Sequence, residues 1–239
     1  MRHEAFTDAL IAAHASGVRF APDMDLPSTN EDAYAVQSAV MPSLGAVGGF
    51  KVACKPGLVP IMAPIPATRV VLNGASEQAR DRLGVELEIG AEIVSPIPPE
   101  ADFSTVAQSI RLRPVLELVD YRIEDGPSRD PVVRLADMQG AYGLVLGDGW
   151  DDWDGTDITE VTAYLSCNGE AVFDGAASIP GGSVLRTVSV LANLVGDHCG
   201  GLRVGHVVIT GSLNGLPWFP SGTAVTGRID GVGEVHVTL

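Results

Sequence analysis

The chain has 239 residues, 46% of them hydrophobic and 19% charged, enough to build one large core or two small ones. Its formal charge of -15 and pI near 4.5 exclude the clustered basic face that a nucleic-acid partner requires, so an anionic ligand has to be met by a local positive centre. Three cysteines, Cys54, Cys167 and Cys199, suggest neither a disulfide framework nor a CxxC zinc site, which points to a reducing, cytoplasmic setting.

The N-terminal stretch carries Glu4 and Asp8 where a signal peptide would be apolar, and no run approaches the roughly 18 apolar residues of a membrane helix, so no membrane partner is expected. Phe6, Leu10 and Ala13 form one helical stripe over residues 4–16, and Ser28 with Glu31 has capping-box spacing before a second helix. From Gly48 the pattern changes to short β-rich runs broken by Pro and Gly: FKVAC, RVVL, VELEIGAEIV, PVLELVDYRI, YGLVLG, ITEVTAYLSC, VVITGSL, AVTGRI and EVHVTL. Two helical insertions interrupt them, one starting near Ser104 and one over SVLRTVSVLANLVG, whose apolar face is Val184, Leu185, Val188, Leu191 and Val195. No linker or repeat divides the chain. It reads as a single α+β domain over 1–239, with a helical N-terminal segment (1–45) and a β-rich core (46–239).

In GVELEIGAEIV, residues 84–94, one strand face is Val85, Leu87, Ile89, Ala91 and Ile93, and the other is Glu86, Glu88, Gly90 and Glu92. An ExE pair alone is as readily a solvated strand face. A third carboxylate, Glu117, stands among Val115, Leu116, Leu118 and Val119 in what reads as a buried strand. Buried carboxylates need a cation, and all-oxygen ligation favours Mg²⁺ or Mn²⁺ over Zn²⁺. The five histidines show no ligand spacing. Glu92, about 13 Å from Glu86 along a strand rising about 3.3 Å per residue, should not be a ligand.

Glu86-x-Glu88-Ile, Glu117-Leu-Val-Asp-Tyr-Arg-Ile, Ala136-Asp137 and Leu202-Arg203-x-Gly205-x-Val-Val-Ile-Thr210-Gly211-Ser212, in this order, resemble the fumarylacetoacetate hydrolase superfamily. The branch they resemble is that of 2-oxopent-4-enoate hydratase and 4-oxalocrotonate decarboxylase. The resemblance runs from about Glu31 to Gly233. It implies a mixed β-sheet or β-roll core of the superfamily's C-terminal-domain type and a Mg²⁺ or Mn²⁺ ion on Glu86, Glu88 and Glu117. Lys51 and Asp137 are then catalytic, and Thr210, Gly211 and Ser212 bind substrate. It further implies a small anionic 2-oxo acid as partner, self-association into a homo-oligomer, and a hydratase-like lyase of aromatic-compound catabolism. A decarboxylase, an acylpyruvate C–C hydrolase and a catalytically degenerate binding paralogue are the alternatives. On the residues alone, a surface lysine is the lesser alternative for Lys51, and Thr210-Gly211-Ser212 reads equally as a plain turn.

Departures from the family pattern bear on the reaction. Ile61 and its neighbours replace an acidic residue, Met138 and Gln139 stand in an Asp-Asn-Ala-Ser stretch, and Ser183-Val184 replaces His-Pro. The acidic segment GDGWDDWDGTD lacks the glycine spacing and terminal Glu of an EF-hand and reads as a solvated turn. No GxSxG elbow is present, and Gly181-Gly182 is either a turn or an anion-binding helix start.

Overall fold

The computed structural model describes residues 3–239. The chain begins with α1 (Glu4–Ser16) and α2 (Asn30–Leu44). The cap of α2 is Thr29, whose side chain accepts from the Asp32 N–H, one residue beyond the expected Ser28–Glu31 box. Ser28 and Thr29 are both able to cap, and an acidic residue stands three places after each; the later pair is the one used.

There follow β1 (Val47–Ala53), β2 (Ile61–Pro66), β3 (Val70–Leu72) and the long β4 (Arg82–Ile93). Next come α3 (Phe103–Gln108), β5 (Ile110–Val119), α4 (Pro131–Ala136) and β6 (Ala141–Leu146). The last part contains β7 (Glu160–Cys167), β8 (Glu170–Ser178), α5 (Val184–Leu194), β9 (Val207–Ile209), β10 (Trp218–Pro220), β11 (Ala224–Ile229) and β12 (Gly233–Thr238). Four of these elements have weak sequence signals. β2 reads IMAPIP, whose prolines speak against a ladder; β8 is polar and glycine-containing; α4 and β10 are too short to show a period.

An eight-stranded mixed sheet runs β2-β1-β9-β4-β5-β6-β3, with β10 also paired to β4, and a four-stranded antiparallel sheet runs β12-β11-β7-β8. The odd-numbered face of β4 packs on the small sheet: a side chain added at Gly227 of β11 would run into Leu87 and Leu116. Leu87, Leu116 and Leu118 share one core with Val225, Val235 and Leu165. The opposite face of the large sheet meets the helices, where Val115, Val119 and Ile209 cluster with Phe6, Leu10, Val36 and Leu135. The helical N-terminal segment therefore roofs the face on which the carboxylates lie. The α+β class and the curled mixed sheet agree with the sequence. Among the described residues no helix is long and apolar enough to cross a membrane, and all three cysteines are free.

Candidate metal centre

β4 and β5 are antiparallel, and their register sets Glu86 directly opposite Glu117, with Glu88 opposite Val115. Because alternate residues share a face, all three carboxylates project to the helical side. Two carboxylates directly opposite on one face repel, and nothing about folding alone selects for that arrangement. One oxygen from each of Glu86, Glu88 and Glu117 lies within 4.8 Å of the others, the one such ligand group among the described residues. Glu88 and Glu117 are 2% and 1% exposed.

The cage holds more negative charge than its surroundings neutralise. Lys51 on β1 donates to Glu117 Oε1 at 2.6 Å, while Glu117 Oε2 is buried with no partner. The Gly211 N–H donates to Glu88 Oε2 at 2.6 Å. Burial, followed by the charge of Glu117, lifts Glu86 to about 7 and Glu88 well above the carboxylate range. Burial opposes the charge of Lys51, but Glu117, Glu86 and Glu88 outweigh it and raise the ammonium above its ordinary value. Three carboxylates, one lysine and an orphaned oxygen fit a divalent cation with oxygen ligands, Mg²⁺ or Mn²⁺, better than they fit a folded core left to itself.

The other expected site residues divide. Asp137 is fully buried, and both its oxygens are engaged: Oδ1 accepts from Arg122 Nε at 2.6 Å and Oδ2 from the Arg122 backbone N–H at 2.8 Å. Burial raises its pKa and Arg122 counteracts that. Both oxygens are thus taken up by Arg122, a partner on a different segment that shows no spacing signal. The Thr210 hydroxyl donates to the Ile89 carbonyl at 2.9 Å, and the Ser212 hydroxyl donates to the Gly215 carbonyl at 2.8 Å while also reaching Glu86. Gly211 has φ +101 and lies against Pro180, so a side chain there would be both strained and crowded. Thr210 and Gly211 therefore bond to β4, at the Ile89 carbonyl and the Glu88 carboxylate, while Ser212 closes its own turn at Gly215. Glu92 points to Arg113 and stays outside the cage.

The segment beside Lys51 has an unusual backbone. Met138, Gln139 and Gly140 are successive left-handed residues, with φ 52, 52 and 73. This rare run turns the Gln139 carbonyl to within 3.4 Å of Lys51 Nζ. The Gln139 Nε2 is buried without a partner. Tyr121 lies over Gly140 and feels the charge of Lys51, and the Arg134 guanidinium comes within hydrogen-bonding reach of its hydroxyl.

No family model matches the sequence, and no curated protein does. Among solved structures the chain is similar to 4-oxalocrotonate decarboxylase from Pseudomonas putida G7, complexed with magnesium and adipate, at 20% identity, with 100% of this chain and 98% of that one covered and a TM-score of 0.83. It is similar to fumarylpyruvate hydrolase from Pseudomonas aeruginosa in complex with Mn²⁺ and pyruvate, at 18% identity, coverage of 92% and 93%, and a TM-score of 0.60. It is also similar to 2-hydroxyhepta-2,4-diene-1,7-dioate isomerase from Mycobacterium marinum, at 15% identity, coverage of 81% and 74%, and a TM-score of 0.62. The likeness shows that this chain shares the fold of these solved structures.

Proposed function

We propose that this chain is a divalent-metal-dependent enzyme that acts on short 2-oxo acids and works by stabilising an enolate. The observation that carries the proposal is the surplus of buried carboxylate at Glu86, Glu88 and Glu117, with Glu117 Oε2 unpartnered beside Lys51. A Mg²⁺ or Mn²⁺ ion held there would supply the positive centre that chelates the carboxylate and oxo oxygens of the substrate and takes up charge on the latter. Gly211 fixes the orientation of Glu88 through its N–H, and Ser212 stands beside Glu86. Lys51, charged and shielded from water by the sheet and the 138–140 turn, faces the same space and stabilises negative charge that develops on the substrate. Asp137 acts as a positioning residue: with Arg122 it anchors the start of that turn.

Within this class the resemblance points to a hydratase, with a decarboxylase as the alternative, and the geometry favours the second. Addition of water needs a positioned base, and Asp137, the carboxylate expected beyond the cage, is held by Arg122. Decarboxylation breaks a C–C bond to a leaving carboxylate, sends the electron pair into the conjugated enolate and releases CO₂, so it requires an electron sink rather than an activated water. A structural neighbour covering the whole chain that is a decarboxylase supports the same choice.

The test is spectrophotometric. Protein loaded with Mg²⁺ or Mn²⁺ is given 4-oxalocrotonate, 2-hydroxypenta-2,4-dienoate and an acylpyruvate in parallel. CO₂ release from the first, abolished by EDTA and restored by metal, is expected. Faster hydration of the dienoate would reinstate the hydratase, and binding without turnover across the panel would make the chain a 2-oxo-acid-binding relative.

A further inference from the structure

A cavity of about 540 Å³ is framed by the C-terminal ends of α1 and α2, the turn Ala67–Arg69, residues 78–80 and the start of β6. That volume is in the range of small-ligand sites. None of Glu86, Glu88, Glu117 and Lys51 lines it. Arg122 stands in its wall, whereas the Asp137 that it holds does not.

The charges around this cavity are sorted by side. Arg69, Arg80 and Arg122 reach it from three separate segments, and Asp120 is the one carboxylate in its lining. The other partners of these cations lie outside it: Glu77 is 3.7 Å from Arg69, and Asp137 is 2.6 Å from Arg122. Asp120 is itself held more closely by Arg19, at 2.6 Å, than by Arg80, at 3.4 Å. A chain of net charge -15 thus turns guanidiniums toward one hollow and keeps most of their counter-ions behind the wall. His14, in the last turn of α1, feels the same field. It makes no hydrogen bond or ion pair among the described residues, and burial, followed by Arg122, Arg69 and Arg80, lowers its pKa from 6.5 to about 2. A helix C-terminus favours a protonated ring, so burial and the guanidiniums prevail over the dipole. The neutral ring is left with an unused donor and an unused acceptor at the cavity wall.

We propose that this cavity is a second ligand site, separate from the cage, and that its occupant is a small phosphomonoester. A planar carboxylate offers two oxygens, whereas the three terminal oxygens of a phosphate accept from several directions, which suits guanidiniums arriving from three segments. Among the described residues Arg69 and Arg80 each use a single guanidinium nitrogen on the protein and keep the others for a ligand; Arg122, committed to Asp137, contributes its field. Ile11, Leu44 and Pro66 offer apolar surface to the esterified part. Calorimetry compares inorganic phosphate, glycerol 3-phosphate and acetate, in EDTA and again with Mg²⁺. Both phosphates are expected to bind without metal and at least about tenfold tighter than acetate, which carries less charge. Arg69→Met and Arg80→Met should each weaken phosphate by about tenfold. The His14 ring resonances give an independent readout: phosphate should bring their titration into the range of about pH 5 to 8, where the free protein shows none. Binding that requires Mg²⁺ belongs to the cage and would overturn the second site, as would acetate binding equal to phosphate or His14 signals that phosphate leaves unmoved. These wild-type measurements need no variant, so a poorly folded substitution does not shelter the proposal.

Discussion

Two buried constellations of acid and base lie a few residues apart and are built on opposite principles. Asp137 and Arg122 form a closed account of charge: one carboxylate, one guanidinium, every carboxylate oxygen occupied. Glu86, Glu88 and Glu117 face a single Lys51, with one oxygen orphaned and the Glu86 and Glu88 pKa values driven up by burial and mutual repulsion. The first arrangement compensates its own charge. The second does not, and a chain keeps such an arrangement for what binds there. Balance, more than burial, separates a structural ion pair from a site.

The largest effect that would sharpen this contrast is structural. Asp137→Ala leaves Arg122 buried without a partner and should cost about 3–5 kcal/mol of stability, read by chemical denaturation. Glu88→Gln should behave in the opposite way: metal affinity falls by about 100-fold in calorimetry, close to the upper end seen for perturbed metal sites, while the metal-free protein melts no lower than wild type because like-charge repulsion is relieved. A metal-free Glu88→Gln protein markedly less stable than wild type would break the comparison.

A smaller effect follows from pH. Burial raises the folded pKa of Glu86 to about 7 from the ordinary 4.5, so between these values the folded state holds a proton that the unfolded state has lost. The metal-free protein should therefore lose stability as pH rises from about 4.5 to 7. Metal affinity should rise over the same window as Glu86 ionises, and keep rising above it while Glu88, held well above the carboxylate range, loses its proton. A metal affinity flat from pH 5 to 8, about the range flanking that window, would show that Glu86 is no ligand. The smallest effect is expected at Glu92→Ala, which removes the partner of Arg113 and should leave metal affinity within about twofold.

The alternation of GVELEIGAEIV and the apolar setting of Glu117 made the trio legible in the sequence, because a period of two needs no tertiary knowledge. The register that sets Glu86 against Glu117 was not legible, since the turn between β4 and β5 is replaced by a long connection containing α3. Asp137 stood at a family position, but its role depends on Arg122, fifteen residues earlier and brought back by the 123–136 excursion. Arg134 left no trace because a six-residue helix has no readable period, and an unpartnered nitrogen is visible only in three dimensions. Likewise the prolines of β2 concealed a strand that lies beside Lys51, where Ala63 is its register partner.

The left-handed run Met138–Gln139–Gly140 has a bearing on how this chain tolerates change. Glycine at 139 would adopt φ 52 without strain and would keep the carbonyl that touches Lys51, yet would lose the amide. Gln139→Gly therefore keeps the turn and the carbonyl at Lys51, relieves the left-handed strain and removes only the buried side-chain amide, so it separates the stability of the turn from whatever that amide does.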